Sequence, residues 1–174
     1  MGRSALTPGG TRLSRGPHPL ALSIPAISVL VASLTAVLPI VSATGWWPDL
    51  GLLFLLAWRL LRADAWPAWL AAPLGLFHDL LSGAPIGLSI ALWPMFMLAL
   101  DVIDRRTMWR DYWIEWLVAS SLITLAVLAG WQVAAWDGAP VRLASVAPAI
   151  VINILCFPFA AFVVTRIERW RMSR

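Results

Sequence analysis

The chain has 174 residues, 60% hydrophobic and 13% charged, where a soluble globular protein has about 45–50% and ~25%. A single domain of this size has too much surface to keep that much apolar side chain from water, so the composition excludes a soluble monomer and predicts an integral membrane protein. Thirteen basic against nine acidic residues give a net charge of +4, and every basic residue is arginine. These arginines are expected at membrane boundaries rather than on nucleic acid.

Residues 1–19 are polar and rich in Gly, Pro, Ser and Arg, which predicts a disordered tail. Six apolar stretches follow: Leu20–Ala43, Trp46–Leu61, Trp66–Leu81, Ile86–Ile103, Ile114–Trp136 and Leu143–Val164. Each is read as a helix crossing the bilayer, the second to fourth being short or tilted. The first run is about ten residues longer than the apolar part of a usual signal peptide, so Val41-Ser42-Ala43 is not expected to be a cleavage site. The expected organisation is a cytoplasmic tail at 1–19, a six-helix transmembrane domain at 20–165 and a basic cytoplasmic tail at 166–174. The fold class is therefore all-α.

Arginine placement sets the expected topology. Twelve of the thirteen arginines fall in the N-terminal tail, the Arg59–Arg62 region, the Arg105–Arg110 region and the C-terminus; the alternate regions hold only Arg142. The positive-inside rule then puts both termini in the cytoplasm. The tryptophans agree, Trp46, Trp47, Trp131 and Trp136 marking the outer interface and most of the others the inner one. Trp93 is the exception, at mid-segment.

Polar residues within the apolar runs are the candidates for special roles. In the first run Pro25, Ser28, Ala32, Thr35, Pro39 and Ser42 share one helix face. That face is a packing seam, within this protein or for another membrane protein. In the third run Ala72, Gly75, Asp79 and Ser82 share a side. A bare carboxylate at mid-bilayer costs about 2.5–3.5 kcal/mol on insertion scales, so Asp79 should face the bundle or the outer interface and accept hydrogen bonds at the turn Ser82-Gly83-Ala84-Pro85. This structural reading is preferred over proton or ion transfer. His78 projects about 100° away from Asp79 on a helix, so the pair is no automatic relay. Asp101 and Asp104 read as a solvated helix end, Arg59 as a side chain that snorkels to the interface, and Asn153 as a bond to another helix.

The signatures of catalysis are absent. There is no Cys/His ligand set, no Walker-type loop and no Gly-x-Ser-x-Gly elbow, and the lone Cys156 has no intrachain partner for a disulfide. No enzyme activity, cofactor or metal is expected.

Two elements resemble a known family. Pro48-Asp49-Leu50 opens an apolar helix that ends in Trp58-Arg59. Gly75-Leu76-Phe77-His78-Asp79-Leu80-Leu81-Ser82-Gly83-Ala84-Pro85-Ile86-Gly87-Leu88 follows, then Ala91-Leu92. Together they resemble the bacterial rod shape-determining protein MreD family, whose pattern is Gly-Leu, then Asp-Leu-Leu, then Gly, often Pro, then Leu-Gly. His78 and Ile86 are mild departures from it. The resemblance implies a non-enzymatic scaffold of the inner membrane within the cell-elongation machinery. Its implied partners are MreC and, through it, MreB, RodA, a penicillin-binding transpeptidase and membrane lipids, with no nucleic acid. It further implies likeness to six-helix substrate-binding components of energy-coupling-factor transporters, which makes a membrane component binding a vitamin or other small molecule the alternative. The motif residues are Pro48, Asp49, Arg59, Gly75, Asp79, Gly83, Pro85 and Gly87; Ser28, Ala32, Thr35 and Asn153 are the helix-packing candidates.

Overall fold

The computed structural model describes residues 19–38, 47–62, 66–106, 111–136, 138 and 142–172. Within them the chain is all-helical, with no strand. The helices are α1 (Pro19–Leu34), α2 (Leu50–Leu61), α3 (Ala71–Ser82), α4 (Leu88–Arg106), α5 (Tyr112–Trp136) and α6 (Ala147–Met172). Residues 1–18 of the predicted N-terminal tail, Pro39, Ser42 and the arginine at position 110 lie outside the described residues, while Pro19, the last residue of that tail, opens α1.

Local chemistry explains where the helices depart from the apolar runs. The first run was expected to stay helical to Ala43. Instead α1 gives way to a 3-10 turn at Thr35–Val37, and Leu38 is extended, with ψ 131°. Leu38 precedes Pro39, and the proline ring disfavours helical angles in the residue before it. Likewise Pro67 is extended (ψ 146°), a 3-10 turn spans Ala68–Leu70, and α3 starts only at Ala71 rather than near Trp66. At the other extreme, α6 continues through residues 166–172, which were expected to form a basic tail. Glu168 holds that extension: its Oε1 accepts from Arg62 at 2.8 Å and from Arg171 at 2.6 Å.

Cross-chain bonds fix the helix directions. The first turns of α2 and α4 meet the last turn of α3 and the N-terminal half of α6 at one end of the molecule. The last turns of α2, α4 and α6 gather at the other. Thus α2, α4 and α6 run one way, and α1 and α3 run against them. The core between them holds Leu53, Leu55, Leu56, Trp58, Trp93, Met97, Leu100 and Ile123, all essentially buried. On α1 the buried residues are Pro25, Val29, Ala32 and Ser33. The small-residue face therefore packs partly inward, with Ser28 accepting from Trp58 Nε1–H at 2.7 Å and Thr35 donating to the Ala32 carbonyl.

The outward surface is apolar. Ile27, Val31 and Leu34 of α1, Met95, Leu98 and Val102 of α4, and Leu155, Phe159 and Phe162 of α6 are all exposed. Among the described residues α5 and α6 are the helices long and apolar enough to cross a membrane, with mean hydropathy 1.8 and 2.3.

Candidate functional site

The end where α3 turns into α4 is built on one carboxylate. Gly83 ends α3 in the left-handed conformation (φ 66°, ψ 13°), and Gly87 has φ 107°. Glycine takes such angles without the Cβ clash that penalises other residues, and Pro85 between them fixes its own φ. The turn sends α4 back along α3. It also aims the first N–H groups of α4, which have no helical carbonyl to donate to, at Asp79. Gly87 N–H donates to Asp79 Oδ2 at 2.9 Å, and Ser89 N–H donates to both carboxylate oxygens at 3.1 and 3.2 Å. Asp79 is 1% exposed, and it faces the bundle. Gly75, one turn earlier, is where the two backbones close up: a Cβ there would lie 2.5 Å from the Ser89 carbonyl oxygen.

A second carboxylate starts α2. Asp49 Oδ1 accepts from Leu52 N–H at 3.0 Å, a capping bond. The Asp49 backbone N–H itself donates to Asn153 Oδ1 at 2.8 Å, and Asn153 Nδ2 donates to the Ala149 carbonyl. Asn153 thus does bond another helix. Pro48 lies just before this cap and lines the same end of the molecule.

His78 does not join Asp79. Its ring turns to the opposite flank, where Nδ1 lies 3.3 Å from Ser33 Oγ of α1 and Nε2 lies 3.5 Å from Asp49 Oδ2. Trp93 of α4 packs on it, with ring centroids 5.1 Å apart. Gly51 makes room for this group, since a Cβ there would sit 2.5 Å from Ser33 Oγ and 2.8 Å from His78 Nδ1.

Around these residues opens a cavity of about 410 Å³ to which all six helices contribute, Asp49, His78, Ser89, Trp93 and Asn153 among its walls. No polar cavity was visible in the sequence, because its lining comes from six separate segments. Ser89 and Trp93 were missed as members, and so was Ser33 as the partner of His78. The signal for Trp93 was there: it is the tryptophan that does not fit the interfacial belts.

At the far end the expectation for Arg59 is corrected. It does not snorkel to the surface but is 2% exposed. It ion-pairs with Asp101 and, at 2.9 Å, with Asp104, joining the last turn of α2 to the last turn of α4. Asp101 and Asp104, read above as a solvated helix end, are this arginine's counter-ions. Two carboxylates on successive turns present oxygens to both terminal nitrogens of a guanidinium, a geometry a lysine lacks.

Among the described residues no group of three or more His, Cys, Asp or Glu side chains is placed to hold a metal ion. What the geometry defines is an all-helical protein with two polar helix-start joints around a cavity at one end and a buried ion cluster at the other. Comparison with known protein families, curated proteins and solved structures finds no match.

Proposed function

We propose that the chain is a non-enzymatic scaffold of the bacterial inner membrane, akin to the MreD family. In this reading it binds MreC and helps couple the MreB filament to peptidoglycan synthesis by RodA and a penicillin-binding transpeptidase. The observation that carries the reading is the use made of the motif residues. Asp49, Arg59, Gly75 and Asp79 are each spent on joints between helices of this chain. Such residues specify a rigid shape rather than a reaction.

The membrane reading has its own support. Large apolar side chains face outward on α1, α4, α5 and α6, a surface that water would not tolerate and lipid covers. We read all six helices as spans with both termini cytoplasmic, which puts the cavity end outside and the Arg59 cluster at the inner face. Arginines there favour anionic headgroups by roughly 1 kcal/mol each. The alternative, a small-molecule-binding membrane component, gains one observation, the cavity.

The test is twofold. Periplasm-dependent reporters fused near Gly45, Ala84 and Gly138 should be active, and those near Asp64, Thr107 and Ser173 silent. Deletion should round a rod-shaped host, and MreC should co-purify with the protein from detergent. Normal cell shape on deletion, with no MreC recovered, overturns the scaffold reading.

A further inference from the structure

The cavity at the α2 and α4 helix starts has a definite electrostatic character. A helix N-terminus carries roughly half a positive charge and usually favours anions. Two such ends, those of α2 and α4, open here, and each already holds a carboxylate of this chain, Asp49 and Asp79. Asp79 is sealed from the cavity by burial, whereas the Asp49 side chain is 32% exposed and lines it. Among the described residues no arginine lines the cavity. An entering anion would therefore meet a carboxylate at a dipole already compensated, while a cation would meet a counter-ion.

The hydrogen-bonding groups agree. Asp49 Oδ1 is taken by Leu52 N–H, but Oδ2 has only His78 Nε2, 3.5 Å away, beyond the distance of an ordinary hydrogen bond. Among the described residues Asp49 Oδ2 therefore makes no ordinary hydrogen bond, and Asp49 stands on the cavity wall. His78 Nδ1 lies 3.3 Å from Ser33 Oγ, a contact either ring tautomer can make. Leu88, Leu92 and the Trp93 indole give the wall an apolar, aromatic stretch, beside the polar Thr35, Ser82, Ser89 and Asn153. A volume of about 410 Å³ falls in the ~300–1,000 Å³ range of small-ligand sites.

We propose that this cavity binds a small organic cation, a primary or secondary ammonium on an apolar body, with Asp49 as counter-ion and Trp93, Leu88 and Leu92 as the wall for the body. The inference stands apart from the scaffold reading. It assigns a ligand class to the cavity, and cell shape plays no part in its test.

The test uses the full chain in lipid nanodiscs, with empty nanodiscs subtracted, and equilibrium dialysis of three probes of one shape: phenethylammonium, 2-phenylethanol and phenylacetate. Phenethylammonium should saturate at one per chain, at least ten-fold more tightly than 2-phenylethanol, with phenylacetate weaker still. Asp49→Asn keeps an oxygen for Leu52 N–H and so keeps the helix cap. It should melt near the native temperature and lose the ten-fold preference for the ammonium. Ala126→Phe, which fills the cavity from α5 and leaves Asp49 in place, should abolish saturable binding of phenethylammonium. Equal affinity for ammonium and alcohol overturns the cationic class. Binding unchanged in both variants, or no saturable binding of any probe, overturns the site. Each of these results leaves MreC recovery and cell shape to be decided separately.

Discussion

Asn153 accepts the backbone N–H of Asp49 across 104 positions of sequence, at 2.8 Å. The bond ties the helix that a carboxylate starts to a side chain in the first half of α6. Asn153→Ala empties a position that is 3% exposed and leaves the part-buried Asp49 N–H without its partner. An unsatisfied buried group costs about 1–3 kcal/mol, so the melting temperature in detergent should fall measurably. Asn153→Asp, which keeps the acceptor oxygen, should fall less unless the added negative charge beside Asp49 dominates, and a comparison at high and low salt reads that repulsion directly.

Asp79 separates a structural role from a proton-transfer role. Its Oδ2 accepts from both Gly87 and Ser89. Asp79→Asn with its oxygen in that position keeps both bonds and should fold, with a loss of about 1 kcal/mol. Asp79→Leu strands both donors and should lower the amount of assembled protein several-fold, read by immunoblot of membranes. A folded Asn variant that retains its level but loses the proposed function would instead assign the carboxylate a proton-transfer role.

Gly75 and Gly83 should fail for different reasons. Gly75→Ala forces a methyl group against the Ser89 backbone, 2.5 Å from its carbonyl oxygen, and two backbones cannot step aside as a side-chain tip can. We expect loss of assembled protein. Gly83→Ala meets nothing within 4 Å and should cost only the roughly 1–2 kcal/mol of placing a Cβ at positive φ. Thermal melts of the two variants give the order.

Arg59 is a buried charge, 2% exposed. Breaking a buried ion pair by removing one partner costs about 3–5 kcal/mol, but the Asp101 side chain is 42% exposed and solvent screens its share. Arg59→Met should therefore destabilise by a few kcal/mol at most, chiefly through Asp104. Arg59→Lys should recover only part, because one ammonium cannot present parallel N–H groups to both carboxylates. Adding Asp104→Asn to Arg59→Met should return some of the lost melting temperature, a coupling read from the double-mutant cycle.

The sequence was legible where a feature is local. Apolar runs located six helices, and Gly83, Pro85 and Gly87 announced the turn that brings Asp79 to the start of α4. Features made by distant segments were not legible. Arg59 looked like a boundary arginine because its counter-ions stand 42 and 45 positions on. His78 looked solitary because Asp49, Ser33 and Trp93 reach it from three other helices. The boundary of α6 was misplaced for the same reason, since the glutamate that stabilises its last turns is held partly by Arg62, the residue that follows α2.

The two helix-start joints also differ in when they can form. Asp79 meets Gly87 and Ser89 within 8 and 10 positions, so the α3–α4 hairpin is complete almost as soon as it is made. The Asp49–Asn153 joint must wait for 104 further residues, roughly 5–20 s at synthesis rates of about 5–20 residues per second. During that interval α2 stands with its N-cap made and its anchor missing, and so does the wall of the cavity. A nascent chain that stops before Asn153 lacks this joint altogether, and the arrival of α6 is the step that closes it.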